Sequence, residues 1–130
     1  MIKILVLEDN VLSQDLLCSL LIPEGYEVVC AADGQSGLAQ IQEQHPDLVI
    51  SDIDMPGMNG LEVLQQIRLN HLTASLPVII CTSAEDESCR RLATQLNAIY
   101  ITKPFYPSKL LKIVTEQLPQ QLSSSQQSPA

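Results

Sequence analysis

The chain has 130 residues, 45% of them hydrophobic, which suits one packed core at a common domain size. Its 15 acidic residues against 7 basic ones give a formal charge of -8, which repels phosphate backbones and anionic lipid and argues against direct nucleic-acid binding. No apolar run nears the roughly 20 residues that cross a bilayer, and Met1 to Leu7 meets Glu8-Asp9 too soon for a secretory signal, so a cytoplasmic location is expected.

Apolar runs of strand length alternate with stretches of helical period. Ile2 to Leu7 reads as a first strand and ends on the acidic pair Glu8-Asp9; Leu12, Leu16, Leu17, Leu20 and Leu21 then recur at helical spacing. Glu27 to Ala31 is a second strand, and Leu38 and Ile41 mark a second helix. Leu48 to Ser51 is a third, ending on Asp52 and running into a Pro- and Gly-rich loop through Gly60, before a helix marked by Leu61, Leu64, Ile67 and Leu69. Val78 to Cys81 leads to Thr82, and Leu92 and Leu96 mark a fourth helix. Ala98 to Ile101 leads to Lys103-Pro104, and Leu110, Leu111, Ile113, Val114 and Leu118 close the series. All these leucines are expected to be core stripes.

Residues 119–130 are polar, uncharged and poor in core formers, which predicts a disordered tail or the start of a linker after a domain over 1–118. The four cysteines lack any C-x-x-C pair and lie in apolar segments, so they are expected to be small core residues rather than disulfide or zinc partners. No Gly-rich dinucleotide fingerprint follows the first strand.

Strict alternation of strand and helix demands crossover connections, so the expected fold is α/β with a parallel sheet covered on both faces. Ligands of such open sheets bind beyond the carboxyl ends of the strands. Glu8-Asp9, Asp52, Thr82 and Lys103 all fall there. Carboxylates brought together at one edge repel, and a hard divalent cation relieves that repulsion; magnesium takes one or two carboxylates beside a phosphate. One carboxylate can then act as a nucleophile toward phosphorus, and Asp52, alone on its strand end, is the choice. A hydroxyl from Thr82 and the ammonium of Lys103 can clamp the phosphoryl oxygens. The Lys103-Pro104 bond is a candidate cis peptide that would fix where the ammonium points.

Each residue also has an ordinary structural reading. Glu8 and Asp9 could begin a helix, Thr82 could be a strand residue, Lys103 a solvated charge and Tyr100 simple packing. The convergence of the set favours the phosphoryl pocket.

Leu5-Val6-Leu7-Glu8-Asp9-Asn10, the stretch Asp47 to Gly60, Pro77 to Ser83 and Tyr100 to Phe105 resemble, in order, the receiver domain of bacterial two-component response regulators. The resemblance covers about residues 1–118 and implies a flavodoxin-like, doubly wound five-stranded parallel sheet of order 2-1-3-4-5 with five helices. It further implies that Asp52 accepts a phosphoryl group from a sensor histidine kinase or phosphotransfer protein. Asp9 and Asp52 would ligate magnesium or manganese, with Glu8 acting mainly through water and Asp54 offering its backbone carbonyl. Thr82 would move toward the phosphoryl group and Tyr100 follow it inward, changing the face made by the fourth helix, fifth strand and fifth helix. That face would serve a downstream protein target, an output domain outside the chain, or a homodimer. Such a domain is a regulatory phosphoacceptor with self-phosphorylation and autodephosphorylation, not a multiple-turnover enzyme.

Three departures stand out. Ser83 replaces the usual small residue after the hydroxyl, and Leu96-Asn97 stand where the family usually has Gly-Ala, so a different turn is expected there. By the resemblance, Asp54 and Ala84 would occupy positions that tune dephosphorylation in the family. The runner-up is a small haloacid-dehalogenase-like phosphatase using Asp52-x-Asp54, although its pair should follow the first strand. A flavin carrier lacks its phosphate loop and stacking aromatics.

Overall fold

A computed structural model describes residues 1–83 and 86–118, and the predicted tail lies outside these residues. Five strands and five helices alternate: β1 Lys3–Leu7, α1 Val11–Leu21, β2 Glu27–Ala31, α2 Gly34–Gln44, β3 Leu48–Ser51, α3 Gly60–Leu69, β4 Val78–Thr82, α4 Glu87–Gln95, β5 Ile99–Thr102 and α5 Pro107–Gln117. A 3-10 turn, Ile22–Glu24, follows α1. All strand pairs are parallel and the order is β2-β1-β3-β4-β5, the expected flavodoxin-like arrangement. β2 and β3 match their predicted spans, while β4 extends through Thr82 and β5 is shifted by one residue, to Ile99–Thr102.

Side chains alternate across a strand, and the two faces of the sheet accordingly hold two cores. Leu5, Leu7, Val49, Val78 and Ile80 pack with Ile41 of α2, Val63, Leu64 and Ile67 of α3 and Ala93 of α4. Ile4, Val6, Ile50, Ile79, Cys81 and Ile101 pack on the other face with Leu17 and Leu21 of α1 and Leu110 and Val114 of α5. A strand sealed on both faces has no polar side to show, which is why Ile4 to Leu7 are all fully buried.

Three predicted core leucines are corrected by the structure: Leu12 is 78% exposed, Leu16 51% and Leu69 77%. Leu17 and Leu21 of α1 face the sheet one turn apart, and Leu12 and Leu16 form a parallel stripe about 100° round the helix. Helical spacing fits both stripes, but only one can meet the sheet. Leu69 ends α3 beyond the Leu64 and Ile67 stripe.

Helix starts are capped by side chains that free backbone N–H groups require. Asn10 Oδ1 accepts from Ser13 N, Asp33 Oδ1 from Ser36 N, and Asn59 forms a reciprocal capping box with Glu62. The turn into β5 uses Asn97, whose φ of 61° is left-handed. Asparagine is among the non-glycine residues that tolerate this region best, so Asn97 makes this turn without a glycine.

Candidate functional site at the carboxyl edge of the sheet

Three site residues are fixed because their backbones continue the sheet ladder one step past the strands. Glu8 N donates to Ala31 O (3.0 Å), Asp52 N to Leu7 O (3.0 Å) and Lys103 N to Thr82 O (2.8 Å). Their side chains therefore leave one edge from rigid positions. They meet: Lys103 Nζ donates to Glu8 Oε1 at 2.9 Å and to Asp52 Oδ2 at 3.3 Å. These are the predicted strand ends, and Glu8, Asp52 and Lys103 are brought together as expected.

The cluster is shielded from water. The Glu8 side chain is 3% exposed, that of Asp52 12% and that of Lys103 23%. Burial alone would depress the Lys103 ammonium, but the hydrogen bond to Glu8 and the charges of Asp52 and Glu8 outweigh it and hold the pKa above the ordinary lysine value. Lys103 is thus an ion-pair partner and not a solvated charge. The Lys103-Pro104 bond, whose isomer the sequence left open, is cis.

Asp52 is aimed by its own loop. Oδ1 accepts from the backbone N–H of Ile53 at 2.6 Å and of Asp54 at 3.3 Å, while Oδ2 faces the ammonium. Its backbone carbonyl accepts from Ser51 Oγ at 2.8 Å. A Cβ on Gly60 would collide with that same carbonyl, so only glycine lets the first turn of α3 pack directly against Asp52. Ser51 and Gly60 were not singled out in the sequence as supports for Asp52. A glycine followed by a helical stripe was the available signal.

Glu8 and Asp9 differ. Glu8 is 2% exposed, accepts from Asn10 N through Oε2 and points into the cluster, whereas Asp9 is exposed. The cap of α1 is Asn10, so neither acid serves that ordinary role. Among the described residues no group of three His, Cys, Asp or Glu side chains is gathered to hold a metal ion. The carboxylates shared here meet around an ammonium. The donor set is nonetheless all hard oxygen and offers two carboxylates outside the buried Glu8, which is the chemistry magnesium accepts when it retains waters.

Thr82, the last residue of β4, is fully buried, and Tyr100, paired with Ile80 across the sheet, is half-buried. The guanidinium of Arg90 on α4 lies 4.6 Å from the centre of the Tyr100 ring, a cation–π contact joining α4 to β5. Arg90 is half-buried, whereas Arg91, Lys109 and Lys112 are exposed. Ala84, one of the departures, lies outside the described residues.

The cysteine expectation also needs correction. Only Cys81 is buried; Cys18, Cys30 and Cys89 are half-buried. Burial pushes the Cys81 thiol up to about 11, with Lys103 opposing, so it is an inert core group.

A family profile described as the response regulator receiver domain matches residues 4–115. A putative response regulator from Chloroflexus aurantiacus J-10-fl is 32% identical, with 88% of this chain and 95% of that one covered and a TM-score of 0.83. The chemotaxis protein CheY4 of Vibrio cholerae is 31% identical over 91% of this chain and 99% of its own, also at 0.83. A CheY-like receiver domain protein from Methanospirillum hungatei JF-1 is 30% identical over 95% and 98%, at 0.86. The Asp52-x-Asp54 pair follows β3 in the middle of the chain, so the phosphatase alternative loses its expected placement. Sequence profile, strand order and these likenesses agree, and the chain belongs to the response regulator receiver domain family.

Proposed function

We propose that this chain is a phosphorylation-dependent signalling switch whose phosphoacceptor is Asp52. The observation that carries the reading is the Lys103 ammonium shared by Glu8 and Asp52, with Asp52 held by two backbone N–H groups beside it. A carboxylate so aimed and only partly exposed can attack phosphorus: an Asp52 oxygen bonds to the phosphoryl group as the bond to a donor imidazole breaks. The donor is the phosphohistidine of a sensor histidine kinase or phosphotransfer protein.

Asp9 and Asp52 would hold magnesium or manganese, with Glu8 through water and the Asp54 backbone carbonyl beside them. The ion supplies charge neutralisation for the incoming phosphoryl oxygens. Lys103 pairs with a phosphoryl oxygen, and the Thr82 hydroxyl donates to another.

A phosphoryl group adds about two negative charges and strong acceptors. It shifts the protein only by its differential interaction with two arrangements. The arrangement we assign to the switch is that of Thr82, Tyr100 and the face of α4, β5 and α5, which then engages a downstream target, an output domain or a second copy. The location proposed is the cytoplasm, and no described helix is long and apolar enough to cross a membrane.

Incubation with acetyl phosphate and magnesium followed by intact-mass analysis tests this. Wild type gains one phosphoryl group and Asp52→Asn none; full labelling of Asp52→Asn removes Asp52 from the role. Steady multiple turnover of a phosphate ester would instead revive the phosphatase reading.

A further inference from the structure

Two thiols that the proposed phosphoryl chemistry does not use lie in contact on the side of the sheet covered by α1. Cys18 Sγ, in the middle of α1, is 3.7 Å from Cys30 Sγ on β2, across a sequence separation of 12 residues. Both side chains are half-buried, so a small oxidant can reach them. β2 is an edge strand, held on one side only by β1, and packing against α1 therefore carries part of its anchoring. Among the described residues neither Cys81 nor Cys89 has a cysteine partner.

We propose that Cys18 and Cys30 are a reversible disulfide site that ties α1 to β2 when the protein meets a peroxide. The two sulfurs already touch, and a disulfide needs them to close to roughly 2 Å. Burial first, then the neighbouring Cys18 and the Asp15 carboxylate, push the Cys30 thiol up to about 11. One of the two thiols attacks a peroxide oxygen; the S–O bond forms, the O–O bond breaks, and the departing hydroxide takes that thiol's proton and leaves as water. The other thiol then attacks the resulting sulfenic sulfur; the S–S bond forms, the S–O bond breaks, and its proton leaves with that oxygen as a second water. Two thiols lose two electrons and one peroxide becomes two waters. A thiol reductant reverses the link.

The lock is independent of Asp52, so failure of either reading leaves the other standing. The test is hydrogen peroxide treatment of the full chain, followed by non-reducing peptide mapping and thermal unfolding. The expected product is a monomer with Cys18 joined to Cys30, lighter by two hydrogens and restored by dithiothreitol. Its Tm should rise by on the order of 10 °C, because a loop of this length is closed in the unfolded chain. Cys18→Ser and Cys30→Ser each abolish link and shift; Cys89→Ser keeps both. A sulfinic acid at Cys18 or Cys30 without a link, a Cys89-linked dimer as the main product, or a linked monomer with unchanged Tm overturns the proposal.

Discussion

Two half-buried cations stand at opposite ends of β5, and their partners differ in kind. Among the described residues Arg68 of α3, at the entry, donates to backbone carbonyls alone: Nε to Leu96 O at 2.6 Å, Nη1 to Leu76 O at 2.6 Å and Ala74 O at 3.2 Å, and Nη2 to Asn97 O at 3.4 Å. Lys103, at the exit, binds two carboxylates. Burial lowers the pKa of Arg68, whereas the acids raise that of Lys103 despite burial. Carbonyl dipoles are fixed, so Arg68 is a strut for the loops that enter β4 and β5. A partner carboxylate can gain or lose charge, so Lys103 is positioned to register a change at Asp52. The same sheet thus has an end that holds shape and an end that can answer to charge.

The largest effect that sharpens this contrast should come from Lys103→Met. It leaves Glu8 a buried carboxylate without its cation, and the expected loss is about 3–5 kcal/mol in urea unfolding. Adding Glu8→Gln should recover most of it, since two neutral groups carry no stranded charge. An equal loss in the double variant would mean that packing, not charge, holds the exit end.

Arg68→Met should cost about 2–3 kcal/mol through its lost hydrogen bonds, while Asp52 labelling by a phosphodonor stays at the wild-type yield. A large fall in labelling at full folding would join the two ends and break the comparison. At the same turn, Asn97→Val should cost about 1–2 kcal/mol, because a β-branched residue resists positive φ; Asn97→Gly should be neutral or slightly stabilising in the same assay.

The smallest effect concerns pH. Asp33, the cap of α2, has its pKa lowered chiefly by the hydrogen bonds from Ser36. A group whose folded pKa is depressed adds stability that is present above its ordinary value and lost as pH falls through the folded one. Asp33→Asn keeps a capping oxygen, so the variant's Tm should fall slightly less than that of wild type in that acidic window. Identical Tm profiles would show that the cap's charge is irrelevant.

Much of the fold was legible because alternation was unambiguous: unbroken apolar runs such as Ile4 to Leu7 require cover on both faces, and parallel strands follow from helices between them. The site was legible for the same reason, since Glu8, Asp52 and Lys103 directly follow strands and a parallel sheet sends all strand ends to one edge. What could not be read was orientation about a helix axis. Leu12 and Leu16 fit the helical period as well as Leu17 and Leu21, and only the sheet decides between stripes. Contacts between distant side chains away from that edge were hidden: nothing in the spacing announced that Arg90 would cover Tyr100 or that Cys18 would meet Cys30. The departure at Leu96-Asn97 was visible, but that Asn97 would carry the left-handed turn is set by the backbone conformation.

The most direct test of a charge-responsive exit end is an amide NMR titration with beryllofluoride and magnesium, which mimic a phosphoryl group on the acceptor carboxylate. The account predicts shifts at Asp52, Thr82 and Lys103 that extend to Tyr100 and α4, with the carbonyl-bound surroundings of Arg68 unmoved. Silence around Asp52, or shifts of equal size at Arg68, would contradict it.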